Sequence, residues 1–317
     1  MAAARADRRA ERAQARMTAA VEAGDTYEAL QAGLALLSRA KCPADALKSA
    51  ITPVRALSAC GAVKEAAELF QAAVGSKTKL DDEGVALLPA AVDALCGEVD
   101  FSAVEESVAT VVIRALDVCV AAGAHVAGRD GFADLLPKIH LKAARVSRQA
   151  GHASTAISHF LRAGAPDEFS EFAVSQAASC SPSERPVVLV RTCLQLLSIG
   201  SYRDAVRFLD ALAARGVAPT EDAAFAASMA AAEGGAAPEA CECACRGVLW
   251  RGASLSCLNA TRLLLRACSR GRAAADVMLA VRERYSPVLD AVGGADVDDG
   301  ELGSLFDAAV RTFSRTE

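Results

Sequence analysis

The sequence predicts an all-α protein, an α-solenoid of antiparallel, tetratricopeptide-like helix pairs. Three observations carry that expectation. Alanine, the strongest intrinsic helix former, fills 73 of the 317 positions. Aromatic residues make up only 4%, which leaves little of the β-branched and aromatic alternation from which large sheets are built. A pattern of Gly, four residues, Ala, then apolar positions about three and four residues further on occurs four times. With 53% hydrophobic and 23% charged residues, the chain can bury a core and is not of the low-hydrophobicity, high-charge kind that stays disordered.

Along the chain, residues 1–20 form a basic lead with Arg5, Arg8, Arg9, Arg12 and Arg16 against Asp7 and Glu11. The alanine background shows no apolar stripe, so a solvated, frayed helix is expected. The four motif copies follow: Gly24 to Ala29, Gly61 to Ala66, Gly151 to Ala156 and Gly200 to Ala205. The last three follow apolar helical segments at 46–60, 135–150 and 187–199. Glycine permits the left-handed residue that ends a helix, and the small alanine lets the next helix return close beside the first. Capping boxes are read at Asp25/Glu28, Ser102/Glu105, Ser181/Glu184 and Asp298/Glu301. Segments 104–120 and 187–199 are apolar nearly all round and belong in the spine. Breakers at 216–220 and 234–238 bracket an alanine run and predict loops. A last helical block spans 258–285, broken at Gly271 and stopped by Pro287, with a closing helix over 301–313.

Net charge is −5, which argues against a general nucleic-acid partner, since phosphate neutralisation needs a basic surface. Eleven cysteines, with no signal segment ahead of them, point to reduced cytosolic thiols that mostly fill space. No apolar run is long enough to span a membrane. Cys241, Cys243 and Cys245 form a C-x-C-x-C triplet without the paired spacing or nearby histidine of a zinc site, so neither a metal nor a cofactor is expected. Asp296 to Glu301 resembles a calcium loop only superficially, since the glycine falls one place early. His125, His140, His152 and His159 are scattered and read as packed helix positions. A helical enzyme working through His152 or His159 is the contrasting possibility, and no catalytic residue is assigned. Trp250 is either a core anchor or an interface residue.

The helix pairs carry a further resemblance. Residues 21–31, with Gly24-Asp-Thr-Tyr27-Glu-Ala29, the segment His159-Phe-Leu-Arg-Ala163, and the blocks 257–265, 285–289 and 305–313 occur in the order and spacing of the Golgi to ER traffic protein 4 family. The sequence is similar to that family over most of residues 21–313. The resemblance implies a non-catalytic cytosolic adaptor in the delivery of tail-anchored membrane proteins. It implies an N-terminal half, 21–165, facing the targeting ATPase, and a C-terminal half, 166–317, facing a ubiquitin-like-domain protein, in one continuous solenoid. Tyr27, Leu30, Gln31 and Arg39 are placed by it near the ATPase-facing surface. Segment 216–225 and the last helices are placed near the ubiquitin-like partner. The family has more aromatics where this chain has Ala32, Gly33 and Ala40, and the Ala/Cys-rich 226–244 has no counterpart near the family's partner-gripping hairpin. The alternative is a generic helical-repeat scaffold or co-chaperone subunit that binds peptide segments.

Overall fold

A computed structural model describes residues 2–75, 80–97, 99–124, 134–180, 185–214, 240–242, 248–250, 253–290 and 301–315. Among these are fourteen α-helices, one 3-10 turn and one short hairpin. The chain divides into two compact units, Met1–Gly164 and Ala165–Glu317.

The first unit contains α1 (Ala2–Glu22), α2 (Thr26–Leu37), α3 (Pro43–Ala59), α4 (Val63–Val74), α5 (Asp82–Cys96), α6 (Glu106–Gly123), α7 (Leu135–Gln149) and α8 (Ala153–Ala163). Helices α1 and α2, α3 and α4, and α7 and α8 pack as hairpin pairs, while α5 lies on α3 and α6 bridges α4 and α7. A single core runs through the unit, from Met17 through Leu47, Phe70, Leu88 and Leu116 to Ile139. The second unit contains α9 (Pro166–Ala178), α10 (Arg185–Ser198), α11 (Tyr202–Ala214), strands β1 (Ala240–Glu242) and β2 (Val248–Trp250), α12 (Ala253–Cys268), the 3-10 turn Gly271–Ala274, α13 (Ala275–Leu289) and α14 (Glu301–Arg315). Here α10 is central, contacting α9, α11, α12 and α14. The Thr312 hydroxyl of α14 donates to the carbonyl of Ser198 at the end of α10, 3.0 Å away.

The repeated motif does in three dimensions what its residue types require. Gly24, Gly61, Gly151 and Gly200 all have φ between 73° and 84°. At each, the glycine N–H bonds three residues back, and the next N–H bonds five residues back: Asp25 to Ala20, Ala62 to Leu57, His152 to Ser147 and Ser201 to Leu196. That is the Schellman arrangement, which satisfies the last carbonyls of the first helix. The alanines five positions on, Ala29, Ala66, Ala156 and Ala205, are all fully buried. In α2 the small residues continue to Gly33, where an added Cβ would lie 2.8 Å from Leu69 Cδ2 of α4. Gly33 therefore lets α2 and α4 approach closely at this point.

At Gly24 an added Cβ meets nothing within 4 Å, so a substitution there is penalised only by the backbone. Gly24→Val is expected to cost about 1–3 kcal/mol, whereas Gly24→Asn, whose side chain tolerates positive φ, recovers most of it. Urea unfolding of both variants is the check. Equal midpoints for the valine and asparagine variants would contradict the turn assignment.

Several expectations are corrected. The lead is not without a core-facing side: Ala13, Met17 and Ala20, spaced i, i+4, i+7, are buried, and α1 packs on α2. The alanine background hid this stripe, because alanine reads equally as filler or as contact. Asp25 caps α2 as expected, accepting from the Glu28 N–H at 2.9 Å. Ser102 does not cap α6: its N–H and hydroxyl both donate to Asp100, and the helix begins after Glu105. The boxes at Ser181 and Asp298 lie outside the described residues. Pro287 does not stop its helix, which runs to Leu289. It sits in the final turn, which a bidentate Arg282–Asp290 pair at 2.7 and 3.1 Å holds in place. The last block starts earlier than read, at Ala253. Cys241 lies on a strand opposite Leu249, and Trp250 pairs with Ala240. This antiparallel pair of strands is an addition to the helices among the described residues.

Candidate docking surfaces

The four residues assigned to the ATPase-facing surface separate by helical period. Tyr27 is 70% exposed, and Gln31, one turn on, is exposed on the same face of α2. Leu30 is 6% exposed and belongs to the core of the unit, one residue after the buried Ala29. It cannot present its side chain to a partner, which corrects its assignment. Arg39 is exposed just beyond α2. Beside Tyr27, Glu28 pairs with Arg16 of α1, and the Thr26 hydroxyl reaches Glu65 of α4 at 3.5 Å. These contacts fix the start of α2 while leaving the Tyr27 ring in solvent.

A second surface was not read from the sequence. Helix α7 carries Lys138, Lys142, Arg145 and Arg148 and no carboxylate, in a chain of net charge −5. Between α7 and α5 runs a groove of about 240 Å³ with Val92, Ile139 and Leu141 among its apolar lining. Lys138, Lys142 and Arg145, at i, i+4 and i+7, stand along it. Asp93 of α5 takes the Lys142 ammonium at 3.1 Å. The run of cations was visible in the sequence, but the groove beside it depends on how α5 meets α7.

The buried polar chemistry of this unit is a histidine pair. His159 occupies the motif position three after the buried alanine, where the other copies have Ala32, Leu69 and Phe208, all buried. The imidazole is accommodated by His140 of α7, with the two Nδ1 atoms 3.0 Å apart, and by Asp117 of α6, 3.5 Å from Nε2. Both rings are about 95% buried. Burial and the facing His159 hold His140 down to about 4. Burial also lowers His159, against the opposing pull of Asp117. His152 stands apart at the N-terminus of α8, so it does not join His159 in a site. The expectation that these histidines are packed helix positions therefore holds for His140 and His159. His125 lies outside the described residues.

Cys96, Cys119, Cys193 and Cys268 are buried and Cys42 and Cys60 exposed. Burial pushes the Cys96 thiol up to about 12, so this group behaves as an apolar filler. Cys243 and Cys245, the calcium-like loop, and segment 216–225 fall outside the described residues. No helix among the described residues is long and apolar enough to cross a membrane.

A family model described as Golgi to ER traffic protein 4 matches residues 66–306, well over half of the chain. The chain belongs to the Golgi to ER traffic protein 4 family. Among solved structures it is similar to the crystal structure of C. therm. Get4, with a TM-score of 0.63 at 15% identity, over 99% of this chain and 90% of that one. No match was found among curated protein sequences. The structural likeness establishes the all-α solenoid fold, and membership of the family supports a role in Golgi to ER traffic. Tyr27, Gln31 and Arg39 precede the residues matched by the family model, so their assignment rests on the resemblance of residues 21–31 alone.

Proposed function

We propose that this Golgi to ER traffic protein 4 family member is a non-catalytic cytosolic adaptor in the post-translational delivery of tail-anchored proteins. In this reading its first unit docks a targeting ATPase and its second unit holds a ubiquitin-like-domain protein. The adaptor brings the two into one complex and raises their effective concentration. The observation that carries the reading is the exposed Tyr27 with Gln31 beside it: a large amphipathic ring held clear of the core on a fixed helix, the kind of residue that anchors interfaces.

The docking surface is Tyr27, Gln31 and Arg39, without Leu30. Tyr27→Ala is expected to weaken ATPase binding by about 2 kcal/mol, roughly thirtyfold, and to leave the thermal midpoint nearly unchanged. Isothermal titration of the purified chain with the ATPase measures the first, and calorimetry the second. The complex weakens as salt is raised, as exposed ionic contacts require. An ATPase that binds the alanine variant as tightly as the parent chain overturns this placement of the surface.

A further inference from the structure

We infer that the groove between α5 and α7 is a docking site for an acidic amphipathic peptide segment, distinct from the α2 surface and independent of the adaptor reading. Three features of the groove select that occupant. Its volume, about 240 Å³, is below the roughly 300 Å³ at which sites for small organic ligands begin, so it takes inserted side chains from a larger partner. The lining by Val92, Ile139 and Leu141 rewards aliphatic side chains, which a partner helix supplies at i, i+3 and i+4. The cations Lys138, Lys142 and Arg145 follow one face of α7, and Lys142 pairs with Asp93 of α5 across the groove.

Carboxylates flanking the aliphatic residues of the partner meet that row of positive charge, on a chain that is otherwise acidic. A nucleic acid would also be drawn by the cations. It has no aliphatic side chains to insert, and the groove offers no aromatic ring on which a base could stack.

The test uses the full chain with isoleucine, leucine and valine methyls labelled for NMR. The probe is a synthetic helical peptide of about 16 residues, with leucines along one face and glutamates on either side of them. Addition of this peptide should shift the methyl signals of Val92, Ile139 and Leu141. The same peptide with lysine in place of glutamate should leave them in place. Lys138→Glu combined with Arg145→Glu, both exposed positions, should weaken binding of the acidic peptide at least about tenfold. Leu141→Asn should also weaken it, with α7 retained by circular dichroism. The inference is overturned by an acidic peptide that shifts none of these methyls, by equal binding of the lysine peptide, or by a charge-matched single-stranded oligonucleotide that shifts them as strongly.

Discussion

Replacing Phe70 by alanine is expected to destabilise the first unit by about 4 kcal/mol, because it removes a fully buried ring and leaves a cavity that its neighbours fill only in part. Phe70 sits on α4, which packs against α2, α3, α5 and α6, so no single neighbour can move into the space without leaving another contact. Its place follows from the motif, since it stands four residues after Ala66 and nine after the Gly61 turn. The check is denaturant unfolding followed by a probe in the first unit, with Tyr27→Ala as the exposed control. The control should lie within about 0.5 kcal/mol of the parent chain. A loss below about 1 kcal/mol for Phe70→Ala would contradict the position of α4 at the centre of the unit.

Acidification is the second large effect. Unfolded histidines titrate near 6.5, whereas the folded pair resists protonation, His140 down to about 4. Between those values the unfolded chain binds more protons than the folded one, so stability falls as pH falls. Together the two histidines contribute a loss on the order of a few kcal/mol on going from pH 7 to pH 4. The geometry explains why. The 3.0 Å Nδ1–Nδ1 contact needs one nitrogen to donate and the other to accept, so the pair can hold one added proton but not two. The double variant His140→Leu, His159→Leu should flatten the stability profile between pH 6.5 and 4. Either single variant leaves the remaining ring without its partner and is destabilised at pH 7. An unchanged pH profile in the double variant would contradict this reading.

What could be read from the residues and what could not follows the range of the interactions involved. The Gly–Ala motif was legible because positive φ at Gly24, Gly61, Gly151 and Gly200 and burial of the following alanines are local demands with few acceptable residue types. The histidine pair was not, because His140 and His159 meet across two helices and nineteen positions of sequence. Leu30 shows how a resemblance can place a whole segment on a surface when the helical period divides it. Tyr27 and Gln31 point out, and Leu30 with Ala29 points in. In α1 the buried face was hidden by composition, since only Met17 distinguishes it from the surrounding alanines. Ser102 failed as a cap because the helix begins three residues later than the box requires, after Glu105, and the serine hydroxyl is left to donate to Asp100.

The adaptor role is tested most directly by affinity capture from native cytosol, with the full chain as bait and the bound proteins identified by mass. The prediction is recovery of a targeting ATPase for tail-anchored proteins together with a ubiquitin-like-domain protein, with Tyr27→Ala losing the ATPase and keeping the second partner. Recovery of neither protein, with another complex in their place, would contradict it.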